Sequence, residues 1–543
     1  MGLGTAHRVR QRPRMHLKAG PFRGMRYSRW DGHADPSLAF LAYNAYVDVA
    51  GDGSAYRSRP GRLRVSSSAI GGGGNGQLVY QFTKNDGTQY TVAICGGKFY
   101  TLAWNSGTWT EVLTASDFSG ASITLSSTAR CSAVTFNNTL VVSDGVNVPW
   151  TWDGTTNGGL TKLTNAPVAY GQPTVYAAKL FFIKNTDRAS IVWSEESAAN
   201  TGYEAGGYSN VWALIQTGSE PLQAIRGTND GLYFWRQRSI GVVRGAFNAD
   251  FQTSNTFDGV STRIGTRSPR GVLYYNNTFY FPDEYGRPWA MQPGGNPEPL
   301  WEQVALAFPQ DTTDDNAIQA VGWNVAVSAT DLTAMETVPV SSIGCVLFTS
   351  SPSTSSGDDT HGGILFRLDG RAQGLWEWNN TTAGVGASGE VLNSDTALPE
   401  VLQVEDDGRT YAFGRRDIWY DEESDGDDAS TASKWVGPKL GANDRVDLQF
   451  IQADVVTDAR TGGAGTSVQV DVLTSRNPTI GSVQAATATT SLTNAEIRVP
   501  FGVNAAGRWG MLYVIVSTTD NLPATLHGYT LTAIPMADYP TVP

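Results

Sequence analysis

Short apolar runs separated by turn-forming residues fill most of this chain. Between about residues 77 and 433, runs of four to six apolar residues alternate with clusters of Gly, Asn, Asp, Ser and Pro. Runs of that length bounded by turn residues are typical of β-strands, whereas helices need longer runs with a 3.6-residue period. The pattern therefore predicts an all-β body.

Some of these runs recur at a nearly constant interval. The eight runs are KFYTL around Phe99, TLVVS around Leu140, KLFFI around Leu180, GLYFW around Leu232, TFYFP around Phe279, NVAVS around Val325, ILFRL around Leu365 and TYAFG around Tyr411. Their spacing of 40 to 52 residues is the length of one propeller blade of three or four strands. We therefore predict a β-propeller of seven blades, within a range of six to eight. Stacked β-sandwiches are the alternative architecture.

The blade boundaries and the turns of this repeat each allow two interpretations. The stretch 325–378 fits either one blade with an insertion or two blades, and seven blades require the former. Three Asn-x-Ser/Thr sequences, at Asn137, Asn276 and Asn379, match glycosylation acceptors but are better explained as hairpin turns between strands.

The character of the chain changes near residue 434. In residues 467–473, Val468, Val470 and Val472 alternate with polar residues, and residues 511–516 form a second apolar run. Strict alternation predicts an antiparallel sheet with one wet face. The predicted domains are thus a basic extended arm with a Gly-rich linker at 1–76, a β-propeller at 77–433 and a β-sandwich-like domain at 434–543.

Charge is distributed unevenly between the arm and the remainder of the chain. Residues 1–30 carry eight cations and no acid, whereas residues 31–543 carry 31 cations and 51 acids, which leaves the whole chain at −12. These cations are the candidate partner-docking residues: Arg8, Arg10, Arg12, Arg14, Lys18, Arg23, Arg26 and Arg29.

Three roles are open for this basic arm. It could dock on an acidic protein surface, bind nucleic-acid phosphates, or be a solvated tail without a specific partner. Interspersed apolar and Pro residues supply anchors besides charge, which favours docking; they are Pro13, Pro21, Phe22 and Trp30.

Composition adds several exclusions. Charged residues make up 17% of the chain, yet no apolar run approaches the ~18 residues of a membrane-spanning helix. Cys95, Cys131 and Cys345 are widely spaced, so we expect buried thiols, without disulfides or a zinc ribbon. The Arg-rich N-terminus lacks the apolar stretch of a secretory signal, so we expect the protein to act where it is made.

Catalytic motifs are scarce. Neither H-E-x-x-H nor G-x-S-x-G occurs, and three of the five histidines lie in the arm. The sequence therefore predicts no enzyme and no cofactor.

One dense acidic cluster lies near residue 424. Its members are Asp417, Asp421, Glu422, Glu423, Asp425, Asp427 and Asp428. A calcium loop is one interpretation, although the ligand spacing of an EF-hand is missing. An acidic docking patch is another, and a solvated inter-domain loop is favoured because runs of like charge are usually solvated.

Short motifs near the start of the chain resemble a known family. They are PFRGM at 21–25, NAYVD at 44–48, GDG at 51–53 and RPG at 59–61, followed by IG at 264–265, YF at 280–281 and Gly286. In this order, and followed by propeller-like repeats, they resemble the tail nozzle family of short-tailed bacteriophages, also called packaged-DNA stabilisation proteins. The resemblance runs as a pattern over most of residues 20–420.

The resemblance implies a structural virion protein without catalytic residues. Such proteins form a six-fold ring of propellers below the portal and its adaptor ring, enclosing the channel through which double-stranded DNA leaves without sequence-specific binding. Implied partners are further copies of the chain, the head–tail adaptor and portal proteins, and tail fibres or spikes. The implied location is the virion tail, and the host cytoplasm during assembly.

The charge distribution agrees with that role. Residues 31–543 stand at −20, and an acidic ring would repel the DNA backbone, which favours sliding over binding. The basic arm could meanwhile bind the acidic face of a neighbouring ring.

Two other classes of propeller remain open. An extracellular glycan-binding or glycan-cleaving propeller of the sialidase kind should repeat S-x-D-x-G-x-T-W, but SDGVNVPW at 143–150 has different spacing. An intracellular WD40 scaffold should show W-D pairs at the blade period, and W-D occurs here only at 30–31 and 152–153.

Deleting residues 1–20 tests the docking role of the arm. We expect the propeller to fold and incorporation into phage particles to be lost, because the deletion removes five of the eight cations. Incorporation is measured by immunoblotting purified particles, and normal incorporation of the truncated chain contradicts the docking role.

Overall fold

The computed structural model of the chain is all-β. It describes residues 14–25, 38–39, 41–43, 45–47, 55–58, 60–155, 158–205, 208–213, 220–245, 256–303, 329–350, 362–377, 385–414, 420–422, 428–430, 433–436, 440, 448–459, 467–474, 486–489, 495–508, 510–517 and 525–536. The N-terminal segment contributes seven short strands: β1 (Met15–Ala19), β2 (Gly24–Met25), β3 (Leu38–Ala39), β4 (Leu41–Tyr43), β5 (Ala45–Val47), β6 (Tyr56–Ser58) and β7 (Arg62–Arg64).

Five blades follow along the chain. The first contains β8 (Gly76–Thr83), β9 (Gln89–Cys95), β10 (Lys98–Ala103) and β11 (Thr108–Leu113); the second β12 (Ser132–Phe136), β13 (Thr139–Ser143), β14 (Trp150–Trp152) and β15 (Leu160–Lys162). The third contains β16 (Ala169–Tyr176), β17 (Lys179–Lys184), β18 (Ser190–Glu195), β19 (Ala198–Gly202) and β20 (Val211–Ala213). The fourth contains β21 (Leu222–Gly227), β22 (Leu232–Arg236), β23 (Ile240–Arg244) and β24 (Thr256–Ser261); the fifth β25 (Leu273–Tyr275), β26 (Thr278–Pro282), β27 (Pro288–Met291) and β28 (Glu298–Pro299).

Two further blades complete a seven-bladed propeller. The sixth contains β29 (Glu336–Val340), β30 (Cys345–Ser350), β31 (Gly362–Arg367) and β32 (Ala372–Glu377); the seventh β33 (Val385–Asn393), β34 (Leu398–Glu405), β35 (Thr410–Phe413) and the N-terminal β7. The predicted blade number is confirmed, and residues 336–377 form a single blade. Val325, at the centre of one predicted run, lies outside the described residues.

The recurring apolar runs mark interior strands of the blades. Leu140, Leu180, Leu232 and Phe279 lie on the second strands of blades two to five, and every one of them is buried. Strands with neighbours on both edges and blades on both faces bury both rows of side chains, so their sequences read as continuous apolar runs.

The helices are short. An α-helix, α1 (Ala115–Gly120), begins at a capping box in which Thr114 and Asp117 satisfy each other's backbone N–H groups. The second, α2 (Ala329–Ala334), precedes blade six, and 3-10 turns span Trp104–Ser106 and Ser341–Ile343. None of the helices in the described part of the chain is long and apolar enough to span a bilayer.

Two of the three predicted Asn turns are confirmed as tight hairpins. Asn137 and Asn138 join β12 to β13, and Asn276 and Asn277 join β25 to β26, all four with φ between 45° and 67°. Two consecutive left-handed residues match the twist of the flanking strands, and Asn tolerates that conformation better than most residues. Asn379 lies outside the described residues.

The hydrophobic core is divided among the interfaces between blades. Blades one and two share a cluster that includes Phe99, Trp150 and Trp152, whose rings meet at 5.0 to 5.8 Å between centroids. Comparable clusters lie at the other interfaces. All three cysteines are buried and free, as predicted. Because the apolar faces point at neighbouring blades, the inner edges that face the axis are left to polar side chains.

The N-terminal segment closes the propeller. Strand β7 pairs with β35, with Leu63 opposite Ala412, and so becomes the outer strand of blade seven. Arg62 Nη1 donates to Glu405 Oε1 at 2.7 Å, with both side chains 1% exposed, and the guanidinium lies 3.9 Å from the Tyr411 ring centroid. The last blade therefore consists of strands from both ends of the propeller sequence.

The predicted Gly-rich linker is packed against this closure. Ile70 N donates to Gly408 O at 2.8 Å, and a side chain at Gly76 would come within 2.3 Å of Val404 O. At Gly71, with φ of 65°, a side chain would come within 2.6 Å of Cys95 O. These glycines allow close approach of backbones between blades one and seven, which differs from the flexibility that composition suggests.

The C-terminal strands form a two-sheet body joined to the propeller. They are β38 (Ser433–Val436), β39 (Leu448–Ala459), β40 (Ser467–Thr474), β41 (Ala486–Thr489), β42 (Ala495–Gly507), β43 (Gly510–Ser517) and β44 (Thr525–Pro535). The preceding strands β36 (Tyr420–Glu422) and β37 (Asp428–Ser430) pair with each other in a separate two-stranded sheet. One sheet has the order β42-β39-β44-β6-β5, with β1 also on β44. The other continues blade six through β4 into β38-β43-β40-β41.

A single apolar cluster spans the junction between the sandwich and blade six. It contains Phe348 and Phe366 from the blade together with Trp435, Phe450 and Leu531 from the two sandwich sheets. The predicted β-sandwich-like body is present, and the N-terminal strands lie in both bodies. The predicted boundaries at residues 76 and 433 stay predictions.

The Arg62–Glu405 closure predicts a specific pH dependence. Burial raises the pKa of Glu405 to about 7, above its ordinary value near 4.3. The folded state thus binds this proton more tightly than the unfolded state does. The resulting contribution to the unfolding free energy is complete below about pH 4 and is lost as the pH rises through about 7. Glu405→Gln removes this titration. We expect the difference in unfolding free energy between variant and wild type to change by up to about 3 kcal/mol in favour of the variant as the pH rises from 4.5 to 8.

Urea unfolding followed by Trp fluorescence at several pH values measures that difference. A difference between variant and wild type that stays constant across the pH range would contradict the assignment.

Candidate functional site

Three of the eight predicted docking cations lie in the described residues. Arg14 precedes β1, Lys18 lies on β1 and Arg23 precedes β2. All three side chains are exposed. Arg14 and Lys18 lie at β1, which pairs with β44 of the sandwich and forms its basic edge, whereas Arg23 lies next to β2, which packs against β32 of blade six. The other five lie outside the described residues: Arg8, Arg10, Arg12, Arg26 and Arg29.

Strand β1 places Lys18 on the outward face of the sheet. Met15, Leu17 and Ala19 turn towards the core of the sandwich, whereas His16 and Lys18 turn outwards. The strand pairs with β44 over five residues, from Met15 opposite Ala533 to Ala19 opposite Tyr529. The alternation of the strand therefore presents cations outwards at this edge.

The acidic cluster is partly described. Its residues Asp421 and Glu422 lie on β36, which pairs with β37 so that Glu422 stands opposite Asp428. Asp417, Glu423, Asp425 and Asp427 lie outside the described residues. The favoured interpretation of this cluster as a solvated loop stays a prediction, and calcium binding stays the alternative. The described residues contain no group of three or more His, Cys, Asp or Glu side chains placed to hold a metal ion.

The propeller axis contains a polar cavity that the sequence did not indicate. It measures about 460 Å³ and is lined by the innermost strands β8, β12, β16, β21, β25, β29 and β33. Its charged lining side chains are Arg226, Arg270, Glu336 and Glu390, one from each of blades four to seven. A volume of this order suits a small molecule.

Glu336 is shared by two arginines on one side of the cavity. Its Oε1 lies 3.4 Å from Arg270 Nη1 and 3.8 Å from Arg130 Nη1, and its Oε2 accepts from Ser388 N at 2.8 Å. Burial lowers the pKa of Arg270 to about 10, although Glu336 opposes that effect. The carboxylate thus joins blades two, five, six and seven electrostatically.

Arg226 lies on β21 among neutral partners. Its Nε donates to Val272 O at 2.8 Å, its Nη1 to Ile225 O at 2.7 Å, and its Nη2 to Gln172 Oε1. Burial lowers the pKa of this guanidinium to about 9. The contacts tie blade four to blades three and five.

Glu390 on β33 completes the charged lining. Ser341 donates to it twice, from the backbone N to Oε1 at 2.6 Å and from Oγ to Oε2 at 2.8 Å. Burial raises the pKa of this carboxyl, and the Ser341 bonds oppose that rise. The cavity therefore offers buried donors and acceptors for hydrogen bonding and ion pairing.

Sequence analysis overlooked all four of these residues. A charged residue ending an apolar run, as Arg226 does in LQAIRG, was the available signal. That signal is weak because strands facing solvent show it as well. The four residues span positions 226 to 390, and only the closing of the ring brings them to one axis.

Comparison with known proteins yields distant structural similarity. No family model matches the chain, and no curated protein sequence matches it either. Among solved structures, BamB from Moraxella catarrhalis aligns over 63% of this chain and 84% of its own, with 11% identity and a TM-score of 0.35. The computationally designed Ika8 protein aligns over 64% of this chain and 98% of its own, with 10% identity and a TM-score of 0.36.

A galactose-bound exo-β-1,3-galactanase from Phanerochaete chrysosporium is also similar. It aligns over 74% of this chain and 95% of its own, with 10% identity and a TM-score of 0.24. At these values none of the three comparisons bears on function.

The shared carboxylate gives a stability prediction. Glu336→Gln leaves Arg270 and Arg130 without their common counter-ion in a buried site, so we expect a loss of roughly 3 kcal/mol in unfolding free energy. Urea denaturation measures this loss. The matched control is Glu111→Gln, which ends an exposed pair with Lys98 at 3.1 Å and should cost less than about 1 kcal/mol. Equal effects of the two substitutions would contradict the role of Glu336.

Proposed function

We propose that this chain is a structural subunit of the tail nozzle of a short-tailed bacteriophage, where it helps to retain packaged DNA and to form the channel for its ejection. In this role the protein is not an enzyme. It acts through assembly with copies of itself and with the adaptor and portal proteins above it.

The observation that carries the proposal is the position of the residues that resemble the nozzle family. Phe22 is buried in the sandwich core, Tyr46 and Val47 on β5 are buried, and Pro60 and Gly61 are buried next to the closing strand β7. The motifs thus belong to the framework that joins the propeller to the sandwich. Resemblance in framework residues supports a shared architecture.

The size of the axial cavity bears on the path that DNA would take. At about 460 Å³, and lined by Arg226, Arg270, Glu336 and Glu390, it has the size of a small-molecule cavity. A duplex would therefore pass through a lumen enclosed by several copies, which is the arrangement that the resemblance implies. An acidic lumen would repel the phosphate backbone and limit friction.

The basic edge of the sandwich supports a docking role. Arg14, Lys18 and Arg23 are exposed, and Lys18 projects from β1, which is paired with β44, so the position of Lys18 is largely pre-organised. Pre-organised charge costs less entropy on binding than charge on a free tail. The chemistry that fits this edge is an acidic protein surface on a neighbouring ring.

Immunogold electron microscopy of purified phage particles tests the proposal. We expect label at the tail below the portal, and six copies per particle by quantitative mass spectrometry. The triple variant Arg14→Gln, Lys18→Gln, Arg23→Gln should fold, because these side chains are exposed, and should be incorporated poorly because three of the eight docking cations are neutralised. Lys98→Gln, an exposed cation on the propeller, is the control. Absence of wild-type protein from particles, with binding to glycans instead, would overturn the proposal in favour of the glycan-handling propeller.

A further inference from the structure

Arg226 differs from the other buried arginines near the propeller's closure and axis. Arg62 pairs with Glu405 at 2.7 Å, and Arg270 lies 3.4 Å from Glu336. Arg226 is 7% exposed, and within the described part of the chain its contacts are two backbone carbonyls and one amide oxygen. Among the described residues, its positive charge is therefore buried without a carboxylate partner.

A buried charge of this kind is energetically unfavourable unless an anion accompanies it. Taking a guanidinium out of water carries a large desolvation cost, and dipoles of neutral groups compensate it less well than an opposite charge does. Burial lowers the pKa of Arg226, which agrees with incomplete compensation. An anion bound at this side chain would supply a compensating negative charge.

The geometry leaves donors available for such an anion. A guanidinium carries five N–H groups, and the three contacts of Arg226 leave one N–H on Nη1 and one on Nη2. Arg270 Nη1, in the same cavity, has no hydrogen-bond acceptor of good geometry among the described residues. Parallel N–H groups on the two Nη atoms suit the two oxygens of a carboxylate or phosphate group.

The remaining lining suits a polar body attached to the anionic group. Hydroxyl, amide and aromatic side chains share the wall of the cavity with the arginines, and its volume of about 460 Å³ admits a molecule the size of one sugar ring with substituents. These polar lining residues include Gln81, Ser132, Gln172, Tyr274 and Ser388.

We propose that the axial cavity binds a small hydroxylated molecule that carries one carboxylate or phosphate group, with that anionic group seated against Arg226 and within reach of Arg270. This site is separate from the basic edge of the sandwich. It requires no bond to be made or broken, and its presence or absence leaves the proposed nozzle role unchanged.

Isothermal titration of the full chain at constant ionic strength tests the site. The probes are inorganic phosphate and D-glucuronate, with D-glucose as the neutral comparison. We expect saturable one-to-one binding of at least one anion and none of glucose. Binding of phosphate alone identifies a phosphorylated ligand class, and binding of glucuronate alone a carboxylated one. Failure of both anions to bind overturns the proposal.

Two variants assign the binding to Arg226. Arg226→Gln should weaken the binding at least tenfold, whereas Arg371→Gln, on an exposed hairpin, should bind as wild type does. Gln172→Glu keeps the shape of its side chain and places a carboxylate at Arg226 Nη2, so it should fold at least as stably as wild type and lose the binding. This second variant decides the question if Arg226→Gln does not fold. Wild-type affinity in a folded Gln172→Glu protein overturns the assignment.

Discussion

A circular array of blades is held together by the contact between its first and last members, and here that contact depends on strand β7. Its Arg62 is buried against Glu405 and the face of Tyr411, while Leu63 pairs with Ala412 in the ladder of blade seven. Removing one partner of such a pair leaves an unpaired charge in a dry interface, which is strongly unfavourable. The ring is therefore closed by an interaction that tolerates little change.

The same N-terminal segment attaches the sandwich. Before it reaches β7, the chain contributes β4 to the sheet that continues blade six and β5 and β6 to the opposite sheet. One apolar cluster then runs from Phe348 in the blade to Leu531 in the sandwich. Closure of the propeller and attachment of the sandwich are thus coupled, because the strands between residues 41 and 64 take part in both.

Because each blade packs its apolar faces against its neighbours, the axis is left to polar groups. Its wall holds two arginines, Arg226 and Arg270, and two carboxyl groups, Glu336 and Glu390. Hydrogen bonds and ion pairs across blades then stabilise the centre of the ring, where apolar side chains alone would not meet. The basic edge of the sandwich is separated from this centre, so assembly and small-molecule recognition would use different surfaces.

The sequence by itself determined the features that depend on neighbouring residues. Fully buried middle strands show as apolar runs that recur at the blade period, and two tight hairpins show as Asn-Asn pairs, so the fold class and the seven blades could be predicted. Only the tertiary structure decided how distant segments combine. Nothing local to Arg62 indicates Glu405, which lies 343 residues away, and nothing local to Arg226 indicates a shared axis with Glu336. The role of the glycines between residues 71 and 76 could not be read from the sequence either, because a flexible linker and a close backbone contact both require glycine. Strand and turn preferences depend on a few neighbouring residues, whereas the partner of a buried charge is determined only when the ring of blades closes.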